Sequence, residues 1–79
     1  MFVKRETLFR LIVDSEFDAV RVELKSYNNK IVLPLPFTVV EDCCKTILEL
    51  TAPCLIGRYS ATIYAANNVP KSVQNINVF

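Results

Sequence analysis

The chain has no histidine and no tryptophan, and it has a single glycine, Gly57. Without histidine, a Ser–His–Asp triad, an imidazole acid–base step and a His-ligated zinc site are all excluded. One glycine cannot build the Gly-rich loops that cradle phosphates. Charge of one sign is also scarce: nine Lys and Arg against eight Asp and Glu leave a formal net charge of +1. A nucleic-acid-binding domain usually carries a basic footprint, so a nucleic-acid-binding β-barrel is disfavoured. The longest weakly polar run, Ile31 to Val40, contains Pro34 and Pro36. It is far shorter than the roughly 20 residues of a membrane-spanning helix. Phe2 to Asp14 is interrupted by Glu6 and Arg10, so no signal-peptide apolar core is expected there. Phe2 behind Met1 reads as a retained initiator. The expected setting is a reducing intracellular compartment or a virion.

Seventy-nine residues and 9.0 kDa suit one small domain, residues 1–79. Hydrophobic residues make up 52% and charged residues 22%, which argues against disorder. Three cysteines are present, Cys43, Cys44 and Cys54. A bridge between adjacent cysteines strains the intervening peptide. A Cys43 or Cys44 to Cys54 disulfide stays open as an alternative. In a reducing compartment the expectation is three thiols serving as small core residues. A zinc site needs a fourth ligand that no histidine provides. No metal, cofactor or small-molecule substrate is expected.

Ten Val, six Ile and five Thr favour strands over helices. Thr7, Phe9, Leu11 and Val13 alternate with Leu8, Arg10, Ile12 and Asp14, predicting a first strand. Val20, Val22 and Leu24 alternate with Arg21, Glu23 and Lys25, the period of a half-solvated antiparallel strand. Asn28 and Asn29 predict a turn, since Asn tolerates left-handed backbone. Ile31, Leu33 and Leu35 follow, and Pro34 and Pro36 place that strand at an edge. Residues 39–50 are open to two readings. Thr38 and Glu41 fit a capping box, Glu41 could pair with Lys45, and Val39, Val40, Cys43, Cys44, Ile47 and Leu48 would line a helix face. Yet Thr46, Leu48 and Leu50 alternate with Lys45, Ile47 and Glu49, and strand is favoured for Lys45 to Thr51. Ala52 to Gly57 is a corner. Tyr59, Ala61, Ile63 and Ala65 then alternate, Asn67 to Lys71 turns the chain, and Ser72 to Phe79 closes as a last strand.

Thr46 to Phe79 resembles immunoglobulin-like and fibronectin type III-like sandwich domains. The likeness rests on Leu48 and Leu50, then Pro53, Gly57, Tyr59, Ala61, Ile63 and Ala65. It implies a small immunoglobulin-like antiparallel β-sandwich of about six strands; the alternative is an α+β fold with one helix near residues 39–50. It also implies a tyrosine corner, with the Tyr59 ring buried and its hydroxyl bonded back toward Pro53 to Leu55. The tryptophan such domains carry earlier in the chain is missing. The resemblance implies no activity, because this fold serves many roles.

Chemistry is sparse. Cys43 or Cys44 lacks a base and a flanking cation cluster, so a nucleophilic role is disfavoured. Asp14, Glu16 and Asp18 form a thin carboxylate group without the spacing of a calcium loop, and read as a solvated turn. Lys4, Arg5 and Arg10, with Glu6 among them, read as a charged rim. The apolar residues Phe2, Val3, Leu8, Ile12, Pro70 and Phe79 are the candidate interface, where aromatics anchor partners. The expectation is a non-enzymatic structural protein that contacts other subunits of an assembly, itself included. Its expected setting is a virion, as a capsid-decorating, cementing or tail-associated subunit. The alternative is a small intracellular inhibitor or adaptor that binds a host enzyme through one β face.

Overall fold

A computed structural model describes every residue except Asn29, Glu41 and Asp42. The described chain is all-β. In order it forms β1 (Phe2–Val3), β2 (Leu8–Val13), β3 (Arg21–Ser26), β4 (Val32–Leu35), β5 (Thr38–Val40), β6 (Thr46–Thr51), β7 (Gly57–Ala65) and β8 (Val69–Val78). A five-stranded sheet has the order β1-β8-β7-β3-β4, and a three-stranded sheet the order β2-β6-β5. All pairings are antiparallel except β1 with β8, which is parallel.

Period-two alternation decides which side chains meet between the sheets. Phe9 and Leu11 of β2, with Leu48 and Leu50 of β6, face Val22 and Leu24 of β3 and Tyr59, Ala61 and Ile63 of β7. Ile76 and Val78 of β8 complete the core. The two inner faces thus share one hydrophobic cluster, a sandwich-like arrangement. Strand β4 lies at an outer edge, where Pro34 and Pro36 cost no ladder donor.

Several expectations need correction. Among the described residues there are eight strands rather than about six, because Phe2–Val3 and Thr38–Val40 each form a short one. The helix across residues 39–50 is absent from its described part: Thr38–Val40 and Thr46–Thr51 are both extended and pair with each other. Glu41, on which the capping box and the pair with Lys45 depended, lies outside the described residues. The last strand starts at Val69 instead of Ser72. Register slips after Ile63, which opposes Ser72, so that Tyr64 opposes Pro70 and Lys71 is the extra residue of a bulge. The bulge admits Pro70 into a strand that would otherwise need its N–H. Three cysteines expected in the core are exposed. They sit in the bends between β5 and β6 and between β6 and β7, and such connections run over the surface.

Turn chemistry follows residue type in most places. Asn67 and Asn68 hold φ of 62° and 59° between β7 and β8, which Asn tolerates well. In the β3–β4 turn Asn29, expected to take left-handed backbone, lies outside the described residues; Lys30 has φ of 55°, and its N–H donates to the Ser26 carbonyl at 3.1 Å. Gly57 opens β7 at φ 146°, a conformation that side-chain-bearing residues rarely adopt. Tyr59 is buried two residues on, and its hydroxyl donates to the Leu55 carbonyl at 2.7 Å. That bond closes the β6–β7 corner on the segment the sequence indicated.

Candidate docking surfaces

The residues singled out as an interface separate into a core residue and three surface locations. Val3 is only 6% exposed and packs in the core, which removes it from any interface. Its parallel partner is Val78, and strand alternation turns both inward. The same alternation turns Phe2 outward, where it opposes Asn77 and is 78% exposed. Phe79 follows Val78 and returns to that outer face at 61% exposure. The Phe79 N–H donates to the Val3 carbonyl at 3.0 Å and the Arg5 N–H to the Phe79 carbonyl at 2.8 Å, so both aromatic rings stand on fastened backbone.

Strand order adds neighbours to this aromatic pair. Asn77 opposes Arg58 on β7, and the Tyr27 N–H donates to the Arg58 carbonyl at 3.1 Å. The Tyr27 hydroxyl crosses β7 to donate to Asn75 Oδ1 at 2.8 Å. Phe2, Phe79, Tyr27, Arg58, Asn75 and Asn77 therefore share one end of the outer face of the large sheet. Aromatic residues and Arg are the types enriched where proteins meet. The sequence offered Tyr27 and Arg58 no special mark. Their place on the same face as Phe2 depends on the parallel β1–β8 pairing across the length of the chain, which no local pattern reports.

Leu8 and Ile12 lie elsewhere, on the outer face of the small sheet, 68% and 49% exposed. Leu8 opposes Thr51, Arg10 opposes Glu49, and Ile12 opposes Ile47, which is flanked in turn by Val40. Arg10 Nε donates to Glu49 Oε2 at 3.2 Å. Pro70 is exposed near the β7–β8 turn, at the opposite end of β8 from Phe79, and belongs to neither surface.

Other chemistry stays dispersed. An open hollow of about 700 Å³ beside β5 is bordered by Glu16, Phe17, Asp18, Val39, Cys43 and Lys45. Asp14, Glu16 and Asp18 are each exposed, as a solvated turn requires, and Asp14 Oδ1 lies 3.9 Å from Lys45 Nζ. That connection is fastened from beneath by Thr46, which is buried. Its hydroxyl donates to the Ser15 carbonyl at 2.7 Å and accepts the Phe17 N–H at 3.1 Å. The Tyr59 phenol is held above its ordinary pKa of 10.0, first by burial and then by negative charge at Cys54. With a bonded hydroxyl and a buried ring, Tyr59 holds the corner together. No helix among the described residues is long and apolar enough to cross a membrane.

Taken together, the architecture defines a small two-sheet, all-β module with exposed apolar surfaces. Neither a protein-family model, nor a curated protein, nor a solved structure matches the chain.

Proposed function

We propose that the chain is a non-enzymatic structural or assembly module of immunoglobulin-like type that docks on other protein subunits. The observation carrying this reading is the cluster at one end of the large sheet. Two exposed phenylalanines, Phe2 and Phe79, share an outer face with Tyr27 and Arg58 on hydrogen-bonded backbone. Anchors of this kind, already ordered before binding, lose little freedom on association.

The immunoglobulin-like reading is supported by strand order and by the tyrosine corner. In such domains strands B, E and D share one sheet and G, F and C the other, with C′ added beside C in the variable type. Here β2, β6 and β5 stand in the first order, and β8, β7, β3 and β4 in the second. Strand β1 departs from the constant-type pattern by pairing with β8 instead of β2. As the setting we propose a viral or phage particle, with the chain as a decorating, cementing or tail-associated subunit. A domain this small, with this much exposed apolar surface, gains from permanent cover.

The test places a photo-crosslinking residue at position 2 or 79 and, as a control, at position 71 beyond the far end of that surface. Adducts from 2 and 79, but not 71, with a structural protein of a particle are expected. Adducts with a host enzyme would transfer the function to an inhibitor or adaptor. Equal labelling from all three positions would remove the docking surface.

A further inference from the structure

The outer face of the small sheet carries a second pattern, independent of the Phe2–Phe79 surface. Along β2, alternation sends Leu8, Arg10 and Ile12 outward, and the next residue in step is Asp14. Along β6 the outward residues are Ile47, Glu49 and Thr51, preceded in step by Lys45. The face therefore reads in rows. Arg10 opposes Glu49 at 3.2 Å, the apolar Ile12 opposes Ile47, and beyond the last ladder pair Asp14 approaches Lys45 at 3.9 Å. Charge alternates both along and across the strands: positive and negative in one row, negative and positive four residues on, with isoleucines between.

A checkerboard of this kind is complementary to itself. Rotating a second copy about a two-fold axis parallel to the strands, midway between β2 and β6, lays Arg10 over Glu49, Asp14 over Lys45 and Ile12 over Ile47. A two-fold axis perpendicular to the strands, along the isoleucine row, lays Arg10 over Asp14 and Glu49 over Lys45. Both stack isoleucine on isoleucine, and neither brings like charges together. Homodimer interfaces are isologous, so each patch must complement its own copy. We infer that this face is the contact between two copies of the chain, with Ile12 and Ile47 at its centre and the four charges setting its register.

Size determines its strength. With strand spacing near 4.8 Å and a rise of about 3.4 Å per residue, the footprint is roughly 20 Å by 14 Å on each copy. That is well below the roughly 800 Å² per partner of a standard interface, so the dimer is expected to be weak, with Kd on the order of 100 μM.

The test is sedimentation equilibrium of the whole chain across the micromolar to millimolar range, with circular dichroism and thermal melting to confirm folding. The wild type should shift from monomer to dimer, and salt should weaken the dimer. Arg10→Glu should raise Kd by about tenfold or more, because both axes then oppose like charges. Ile12→Glu should also abolish dimers. Adding Glu49→Arg to Arg10→Glu should restore association if the axis runs parallel to the strands. Adding Asp14→Arg should do so if it runs perpendicular. A wild type that stays monomeric, a dimer indifferent to Arg10→Glu, or rescue by neither second substitution would overturn the inference. None of these changes touches Phe2 or Phe79. A monomer that still crosslinks through position 79 would thus fail this inference while leaving the proposed function standing.

Discussion

The two sheets bury the same kind of side chain inward and arrange their outward charges differently. On the large sheet β7 is paired on both sides, and the outer face gathers polar groups around Arg21 away from the aromatic end, while Val32 and Val73 stay exposed. There Arg21 stacks on the Tyr64 ring at 3.9 Å, sets its Nε 3.3 Å from Glu23 Oε2 and donates to Asn68 Oδ1. The small sheet is three strands wide with only three residues in β5, and its outer face keeps Ile12 and Ile47 between its ion pairs and Leu8 beyond them. The small sheet nevertheless supplies three of the seven largest fully buried side chains, Leu11, Leu48 and Leu50. It is an equal partner in the core and an unequal one in solvent. Stability resides in the shared interior, whereas the outward faces are free to serve contacts.

The sharpest way to break that comparison is to truncate the core from each side. Leu48→Ala in the small sheet and Ile63→Ala in the large one should each cost about 3 kcal/mol, read from urea unfolding. A much smaller loss for Leu48→Ala would make the small sheet a loose annex. Next in size is the tie from the small sheet to its preceding connection. Thr46→Val leaves the Ser15 carbonyl and the Phe17 N–H without their partner and should cost about 1–2 kcal/mol. Amide exchange at Phe17 should rise with it.

Tyr59→Phe probes the corner where the chain passes from one sheet to the other. Losing the bond to the Leu55 carbonyl should cost about 1 kcal/mol near neutral pH. The raised phenol pKa carries a sign. Above about pH 10 the unfolded chain releases this proton before the folded one does, so stability present below that pH falls as pH rises through the folded value. Urea unfolding of both proteins at neutral and alkaline pH should therefore show the wild-type advantage shrinking above pH about 10. An advantage that grows with pH would contradict the buried phenol. The smallest effect belongs to the large sheet's outer face. Arg21→Ala removes a stacked, partly exposed cation and should cost less than about 1 kcal/mol. A larger loss would mean that this face stabilises the fold as much as the interior does.

Much of this architecture was legible locally. Alternation over Leu8–Val13, Arg21–Ser26, Thr46–Thr51 and Gly57–Ala65 reports which side chains turn inward, because a strand's period of two is a property of the backbone itself. Pro34 within β4 and Pro36 just after it announced an edge, and Tyr59 announced its corner. The candidate surface was only partly readable. Phe2 and Phe79 were evident as apolar residues, but Val3 was indistinguishable from them by type alone. The cysteines show the same limit: their residue type favours burial, and their position in bends overrode it.

What the amino-acid sequence determined by itself is therefore the predominance of strand, the inward faces, the edge prolines and the chemistry that the absent histidines exclude. Those depend on residue type and near neighbours. Tertiary structure alone decided that Val3 lies inside beside Val78, that Phe2 and Phe79 share an outer face with Tyr27 and Arg58, and that β2 and β6 align four charges into a checkerboard. Each of those depends on register between strands tens of residues apart. Register is chosen by the best burial of the whole set of inward side chains, so it is a property of the assembled sheets and is written in no single segment.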